Sequence, residues 1–316
     1  MYTVLISAPY FIPVFERFRS VLESYNLQLI VAPVKERLSE AQLLQYAGQF
    51  DGALCGDDQY TASVLEACVP RLKVVSKWGT GIDSIDREAA ARLGIRVCNT
   101  PNAFPLPVAD TVLGYVLAFA RRQPWLDRAM KQGRWEKLLG RSLSECTLGV
   151  VGVGNCGKAV LQRASAFGMQ LLGNDILEID PDFVQENCVE MTRLEDLLGR
   201  ADFVSLNCDL NPTSYHLMNA STLSLMNHTA VLINTSRGPV VDEPALVEAL
   251  QKRLIAGAAL DVFEVEPLPA DSPLLKMDNV LLAPHNANSS PAAWERVHRN
   301  TIKNLLEGLG ISHLED

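Results

Sequence analysis

The stretch Thr147-Leu-Gly-Val-Val-Gly152-Val-Gly154-Asn-Cys-Gly157-Lys-Ala-Val-Leu161 decides how the rest of the chain reads. It begins as a short apolar run, breaks at three glycines and continues with residues that suit a helix. The spacing Gly152-x-Gly154-x-x-Gly157 is what a strand–turn–helix needs to seat a dinucleotide pyrophosphate. The first glycine allows the tight turn, the second lets the backbone approach phosphate, and the third lets helix and strand pack closely. The helix N-terminus then offers N–H groups and a positive dipole end to the anion. Alone, such a glycine pattern also fits an ordinary tight turn. Here a second strand-like run, Phe167–Asp175, follows and ends in an acid 18 positions after Gly157. That is close to the roughly 20-residue spacing of a ribose-binding carboxylate. Asp175 would accept bonds from ribose hydroxyls and repel a 2′-phosphate. The next residues, Ile176, Leu177 and Glu178, bring no arginine to offset it. NAD is therefore the expected cofactor, rather than NADP.

Outward from this stretch, a strand–helix rhythm fills the chain. Upstream, Tyr2–Ser7, Leu27–Ala32, Asp51–Cys55, Leu72–Trp78 and Ile95–Cys98 are short, apolar and strand-like. Helical segments at 13–25, 39–46, 62–68 and 86–93 alternate with them. Asn99–Pro107 holds three prolines in seven residues and reads as a linker. A helical pair, Val108–Arg121 and Trp125–Gln132, comes next. Strands resume at Thr147, Phe203–Asn207, Val231–Thr235, Ile255–Asp261 and Val280–Ala283. A last helix spans 290–306, with Pro291 in its first turn.

Composition narrows the class. With 316 residues, the chain suits two domains better than one core. Its formal net charge is −9 and it has no Lys/Arg-rich run, which argues against nucleic acid or an anionic membrane as partner. Seven scattered cysteines without a CxxC pair read as reduced thiols of a cytoplasmic protein, not as a disulfide frame or metal site. The N-terminus lacks a basic n-region and is not expected to be a signal peptide. The apolar run at 112–120 is too short to span a bilayer.

In open α/β sheets ligands bind beyond the carboxyl ends of strands. Three such ends carry Arg237, Glu266 and His285. Beside a dinucleotide site they suggest carbonyl/alcohol redox chemistry, in which the protein orients substrate and moves a proton. Arg237 can hold a carboxylate bidentately and polarise the adjacent carbonyl. A histidine suits the proton transfer. Glu266 can bond its far nitrogen, fixing the tautomer and favouring the protonated form. Taken singly, each also fits a bland role: a structural arginine in a strand–helix turn, a solvated loop acid, a satisfied loop histidine. His216, His228, His298 and His313 fall on expected helices or the tail and read as surface residues. Lys77, just before the Gly79 loop, is open to phosphate binding, with a solvated lysine as the plainer reading. Trp78 beside it is a candidate to shape a pocket.

At these residues the chain resembles the D-isomer-specific 2-hydroxyacid dehydrogenases, of the phosphoglycerate dehydrogenase and glyoxylate/hydroxypyruvate reductase kind. The likeness runs over nearly the whole length. It is carried by Gly152–Gly157 with Asp175, by Asn234-Thr-Ser-Arg-Gly-Pro-Val-Val-Asp-Glu243, by Leu260-Asp-Val-Phe-Glu-Val-Glu-Pro-Leu268 and by Pro284-His285. Gly79-Thr-Gly-Ile-Asp-Ser-Ile-Asp86 and Val108-Ala-Asp-Thr111 add to it. The resemblance implies an α/β fold of two Rossmann-like doubly wound parallel-sheet domains with a cleft between them. Residues 1–99 plus 287–316 would form the substrate-binding domain and 100–286 the NAD-binding domain. It implies Arg237 as the substrate-orienting arginine, Glu266 as partner of the histidine and His285 as acid/base. Backbone N–H groups of Thr80 and Gly81 would take the substrate carboxylate. Gly152, Gly154, Asn155, Cys156, Gly157 and Asp175 would line the dinucleotide, with Cys208 and Thr213 by its adenosine half. Thr235, Ser236 and the Arg237 backbone, with Asp261, would lie by the nicotinamide. No metal is called for, and the helices after Pro107 would help form a homodimer.

One departure follows the histidine. Where the family has an apolar residue and then small residues with a glycine, the chain reads His285-Asn-Ala-Asn-Ser-Ser-Pro291. This bears on which acid is used more than on the chemistry. The last helix reaches nearly to Asp316, so no regulatory domain and no serine feedback is expected beyond it. The expected activity is hydride exchange with NADH on a small 2-keto or D-2-hydroxy acid. The alternative is a dinucleotide-sensing, corepressor-like binding protein on the same fold.

Overall fold

The computed structural model describes residues 1–311, which divide into two compact units. One comprises Met1–Ala103 and the C-terminal segment from Ser290, the other Phe104–Ser289.

In the first unit, β1 (Tyr2–Ile6), β2 (Leu27–Val31), β3 (Gly52–Cys55), β4 (Val74–Lys77) and β5 (Arg96–Cys98) form one parallel sheet in the order β2-β1-β3-β4-β5. The central strands β3 and β4 are buried along their whole length, as a parallel sheet covered on both faces requires. The connecting helices are α1 (Glu16–Ser24), α2 (Glu40–Leu44), α3 (Ala62–Cys68) and α4 (Arg87–Arg92). Thr61 and Asp86 start the last two by accepting backbone N–H groups.

The second unit opens with α5 (Pro105–Ala120) and α6 (Gln123–Lys131). The expected linker therefore ends early. Pro105 and Pro107 lie in the first turn of α5, where the missing N–H of proline has no intrahelical partner to lose. Seven parallel strands follow: β6 (Thr147–Val151), β7 (Gln170–Asn174), β8 (Val189–Met191), β9 (Phe203–Leu206), β10 (Val231–Asn234), β11 (Gly257–Leu260) and β12 (Val280–Leu282). Their order is β12-β11-β10-β9-β6-β7-β8. The helices between them are α7 (Asn155–Ala166), α8 (Pro181–Glu186), α9 (Leu194–Arg200), α10 (Ala220–Leu223) and α11 (Glu243–Gln251). The chain winds outward from β6 to β8 and then from β9 to β12, so its topological switch point lies between β6 and β9. Apolar side chains cover both faces. Leu197, Val204, Leu232 and Leu246 belong to one cluster, and Val116, Val150, Leu161 and Ile233 to the other.

The closing helix α12 (Pro291–Gly308), capped by the Ser290 side chain, returns to the first unit. It packs so tightly on β3 and β4 that a Cβ on Gly52 would lie 2.8 Å from Leu305, and one on Gly308 2.3 Å from Val74. Among the described residues no helix is long and apolar enough to cross a membrane.

Candidate active site

All seven strands of the second sheet run parallel, so their carboxyl ends share one edge, and the candidate residues of this unit collect there. At the switch point Gly152 has φ +89°, and a Cβ there would lie 2.5 Å from the Cys208 nitrogen after β9. A Cβ on Gly157 would lie 2.0 Å from the Gly152 carbonyl oxygen. Chain packing thus explains two of the three glycines. It does not explain Gly154, around which a Cβ would meet nothing within 4 Å. Gly154 also begins α7 without a side-chain cap. Asp175, one residue past β7, accepts the Val153 N–H at 2.6 Å and the Leu177 N–H at 2.9 Å. Its carboxylate therefore also shapes the glycine turn. Cys156 and Cys208 border the turn as thiols, since burial raises both, Cys208 to about 11. Thr213 lies in the loop after β9, its N–H and hydroxyl both given to Asn211 Oδ1.

Arg237 is set by Asn234, the buried last residue of β10. Asn234 Oδ1 accepts the N–H and hydroxyl of Ser236, and its Nδ2 donates to the Arg237 carbonyl at 2.9 Å. The next residue, Gly238, presses against the loop after β11: a Cβ on it would lie 1.8 Å from the Phe263 carbonyl oxygen. That loop carries Glu266. Its Oε1 accepts the Phe263 N–H at 3.0 Å, and its Oε2 meets His285 Nδ1 at 3.0 Å. His285 has φ +50°, a region that non-glycine residues occupy rarely and mostly where surroundings enforce it. Asp261 provides the enforcement. Its carbonyl accepts the His285 N–H at 2.7 Å, and its carboxylate takes the Asn286 and Ala287 N–H groups at 2.8 Å each. Burial still pushes the Asp261 carboxyl above its usual range, against those bonds. Arginine turn, glutamate and histidine are thereby brought together at adjacent strand ends. Thr80 and Gly81 lie in the first unit, in the loop after β4, with Thr80 Oγ1 bonded to the Thr100 carbonyl at 3.0 Å.

Four readings of the sequence change. His216 is in a turn, not a helix, with φ +48°, and its Nε2 meets Glu264 Oε1 at 2.5 Å. This second His–Glu pair joins the loop after β9 to the Glu266 loop. Its signal was present in the acid two residues before Glu266, but the contact spans 48 positions. His298 is on α12 as expected, yet it is buried, because its Nδ1 accepts the Trp78 Nε1–H at 2.9 Å inside an aromatic cluster. His228 is exposed, but in a turn. Lys77 is not solvated: it is 4% exposed and paired with Asp57. His313 lies outside the described residues.

Residues 113–287 match the model of the D-isomer specific 2-hydroxyacid dehydrogenase, NAD binding domain. The glyoxylate reductase of Korarchaeum cryptofilum is 43% identical over 255 residues, 79% of this chain and 76% of that protein. The chain belongs to the D-isomer specific 2-hydroxyacid dehydrogenase family. The human D-3-phosphoglycerate dehydrogenase is 36% identical over 281 residues, 88% of this chain and 52% of that protein. Among solved structures, the D-lactate dehydrogenase of Aquifex aeolicus complexed with NAD and lactic acid has a TM-score of 0.85 at 28% identity. That match covers 98% of this chain and 97% of the other.

As a family member the chain is an NAD-dependent oxidoreductase interconverting 2-hydroxy and 2-keto acids. Its own residues fit the cofactor. The uncapped start of α7 and the open space at Gly154 suit a pyrophosphate. The buried Thr235 hydroxyl oxygen, just past β10, has no hydrogen-bond partner within the described chain, and a buried hydroxyl calls for one.

Proposed function

We propose that the chain reduces a small 2-keto acid to its D-2-hydroxy acid, with His285 as proton donor, Glu266 as its orienting partner and Arg237 as the group that holds the substrate. The observation that carries this is the His285 Nδ1–Glu266 Oε2 contact of 3.0 Å, on a loop that Asp261 pins. With Nδ1 engaged by the carboxylate, Nε2 is the atom that delivers a proton to the carbonyl oxygen as it becomes an alkoxide. Arg237 takes the substrate carboxylate in a two-pronged bond and draws charge from the neighbouring carbonyl. The N–H groups of Thr80 and Gly81 complete the carboxylate's binding.

NADH supplies the hydride when bound. The turn at Gly152, Gly154 and Gly157 with Asn155 and Cys156 would hold its pyrophosphate. Asp175 would take a ribose, Cys208 and Thr213 the adenosine side, and Thr235, Ser236 and Asp261 the nicotinamide side. Residues of the first unit would then form the substrate-binding part and those of the second the NAD-binding part. Reduction is the favoured direction, because oxidation of an alcohol by NAD runs uphill near neutral pH.

The chain acts as a homodimer in the cytoplasm. Two features support this. Trp135 and Leu139, in the segment after α6, are 82% and 95% exposed, an apolar surface suited to a second copy. The seven cysteines are free thiols.

The test is NADH oxidation with glyoxylate, hydroxypyruvate, phosphohydroxypyruvate and pyruvate, with Arg237→Ala in parallel and the product's configuration determined. Turnover to a D-hydroxy acid that is lost in the variant supports the reading. NADH binding without turnover of any acid favours a dinucleotide-sensing protein instead.

A further inference from the structure

The relatives divide on whether their named substrate carries a phosphate, and the first unit has its own chemistry at that point. Its sheet also reverses its winding, between β1 and β3, and a doubly wound sheet takes ligands beyond the strand ends at such a place. Ser7 follows β1 there, Asp57 and Asp58 follow β3, and Lys77 ends β4. Asp58 is fully buried and accepts the Ser7 hydroxyl and, at 2.6 Å, the Leu38 N–H. Lys77 Nζ lies 3.0 Å from Asp57 Oδ1 and donates to the Trp78 carbonyl at 3.0 Å. The loop holding Thr80 and Gly81 begins two residues later.

Lys77 is the only cation within the sheet's two central strands, β3 and β4, and its charge is already matched. A buried ammonium persists because carboxylate and carbonyl replace its water. An incoming phosphate dianion would meet Asp57 together with the lysine, and like charges at contact distance repel strongly where water is scarce. The other cations of the strand-end loops, Lys35 and Arg37, are exposed, with Glu36 between them. Trp78, next in the chain, belongs to an aromatic group: the Tyr10 ring lies 5.2 Å from it and 5.3 Å from Trp294.

We propose that Asp57, by holding Lys77, makes this a site for an unphosphorylated 2-keto acid of the glyoxylate or hydroxypyruvate kind and excludes one with a terminal phosphate. This rests on the reading that the first unit receives the substrate.

The test compares kcat/KM for 3-phosphohydroxypyruvate with that for hydroxypyruvate in the wild-type chain, in Asp57→Asn and in Asp57→Asn/Lys77→Met. Asp57 is at the rim, a third exposed by side chain, and asparagine keeps its shape, so the variant folds. The wild-type chain prefers hydroxypyruvate. Asp57→Asn raises the phospho-to-unphosphorylated ratio at least tenfold, and the added Lys77→Met abolishes that gain. A wild-type preference for the phosphorylated acid, or an unchanged ratio in Asp57→Asn, overturns the proposal while leaving the reductase reading intact. Absence of turnover with every 2-keto acid overturns both.

Discussion

His285 sits in a backbone conformation that histidine seldom adopts, and Asp261 keeps it there by accepting three backbone N–H groups, those of residues 285, 286 and 287. That makes Asp261 a support for the proposed acid/base, in addition to its proposed place beside the nicotinamide. Asp261→Ala leaves the Asn286 and Ala287 N–H groups without their acceptor. It should lower both kcat and the melting temperature, the latter by the equivalent of about 1–3 kcal/mol; calorimetry and steady-state kinetics on one preparation check both. Asp175 carries a different signature. Asp175→Asn weakens ribose binding and loosens the turn at Val153, so KM for NADH should rise roughly tenfold while kcat falls less. A kcat loss at unchanged KM would place Asp175 outside the cofactor site. That Arg237, Glu266 and His285 lie at neighbouring strand ends is legible because each follows a short apolar run in the chain that carries the dinucleotide turn. Asn234, which folds the Arg237 turn, is not. A buried side-chain amide leaves no mark on periodicity, and its partners become visible only in three dimensions.

Between elements, the Arg237 turn meets the Glu266 loop at Gly238, and the His216–Glu264 pair ties the loop after β9 to that same loop. Gly238→Ala drives a methyl into the Phe263 carbonyl, so one loop must move. The expected loss is about 1–3 kcal/mol of stability, with a larger proportional loss of activity. A variant of normal melting temperature and activity would show that the loops are not coupled here. In the first unit Asp58 is raised from 3.8 to about 6 by burial. A carboxyl raised in the fold binds its proton more tightly folded than unfolded. Its contribution is therefore fully present below the unfolded value and is lost as pH rises from about 4 to about 6. Asp58→Asn should remove this slope, up to ~1.4 kcal/mol per pH unit across that window, as measured by urea unfolding at several pH values. Every strand but the three-residue β8 shows in the sequence as a short apolar run, and α5 begins three residues before its expected start because its prolines read as breakers rather than as a first turn. Lys77 departs from its plainer, solvated reading for a related reason: sequence shows a charge, but the Asp57 that pairs with it is 20 positions away.

At the scale of the whole molecule, the two-unit architecture follows from a repeated strand–helix rhythm whose final helix returns to the first sheet. The rhythm shows in the residues themselves; the return is implied there by the family resemblance alone, and in the structure it rests on packing such as Gly308 on Val74. The proposed homodimer is open to a direct check. Trp135→Glu with Leu139→Glu should convert the species seen by sedimentation velocity from dimer to monomer, and a wild-type chain that sediments as a monomer removes the dimer from the account. On the proposed mechanism His285, oriented by Glu266, protonates a 2-keto acid during reduction by NADH. The most direct measurement is steady-state NADH oxidation with hydroxypyruvate and glyoxylate in the wild-type chain and in His285→Gln, with NADH affinity measured by fluorescence in both. The prediction is robust wild-type turnover, a loss of roughly 10²–10⁴ in kcat for the variant, and NADH affinity little changed. Variant turnover within a few fold of wild type would contradict the account.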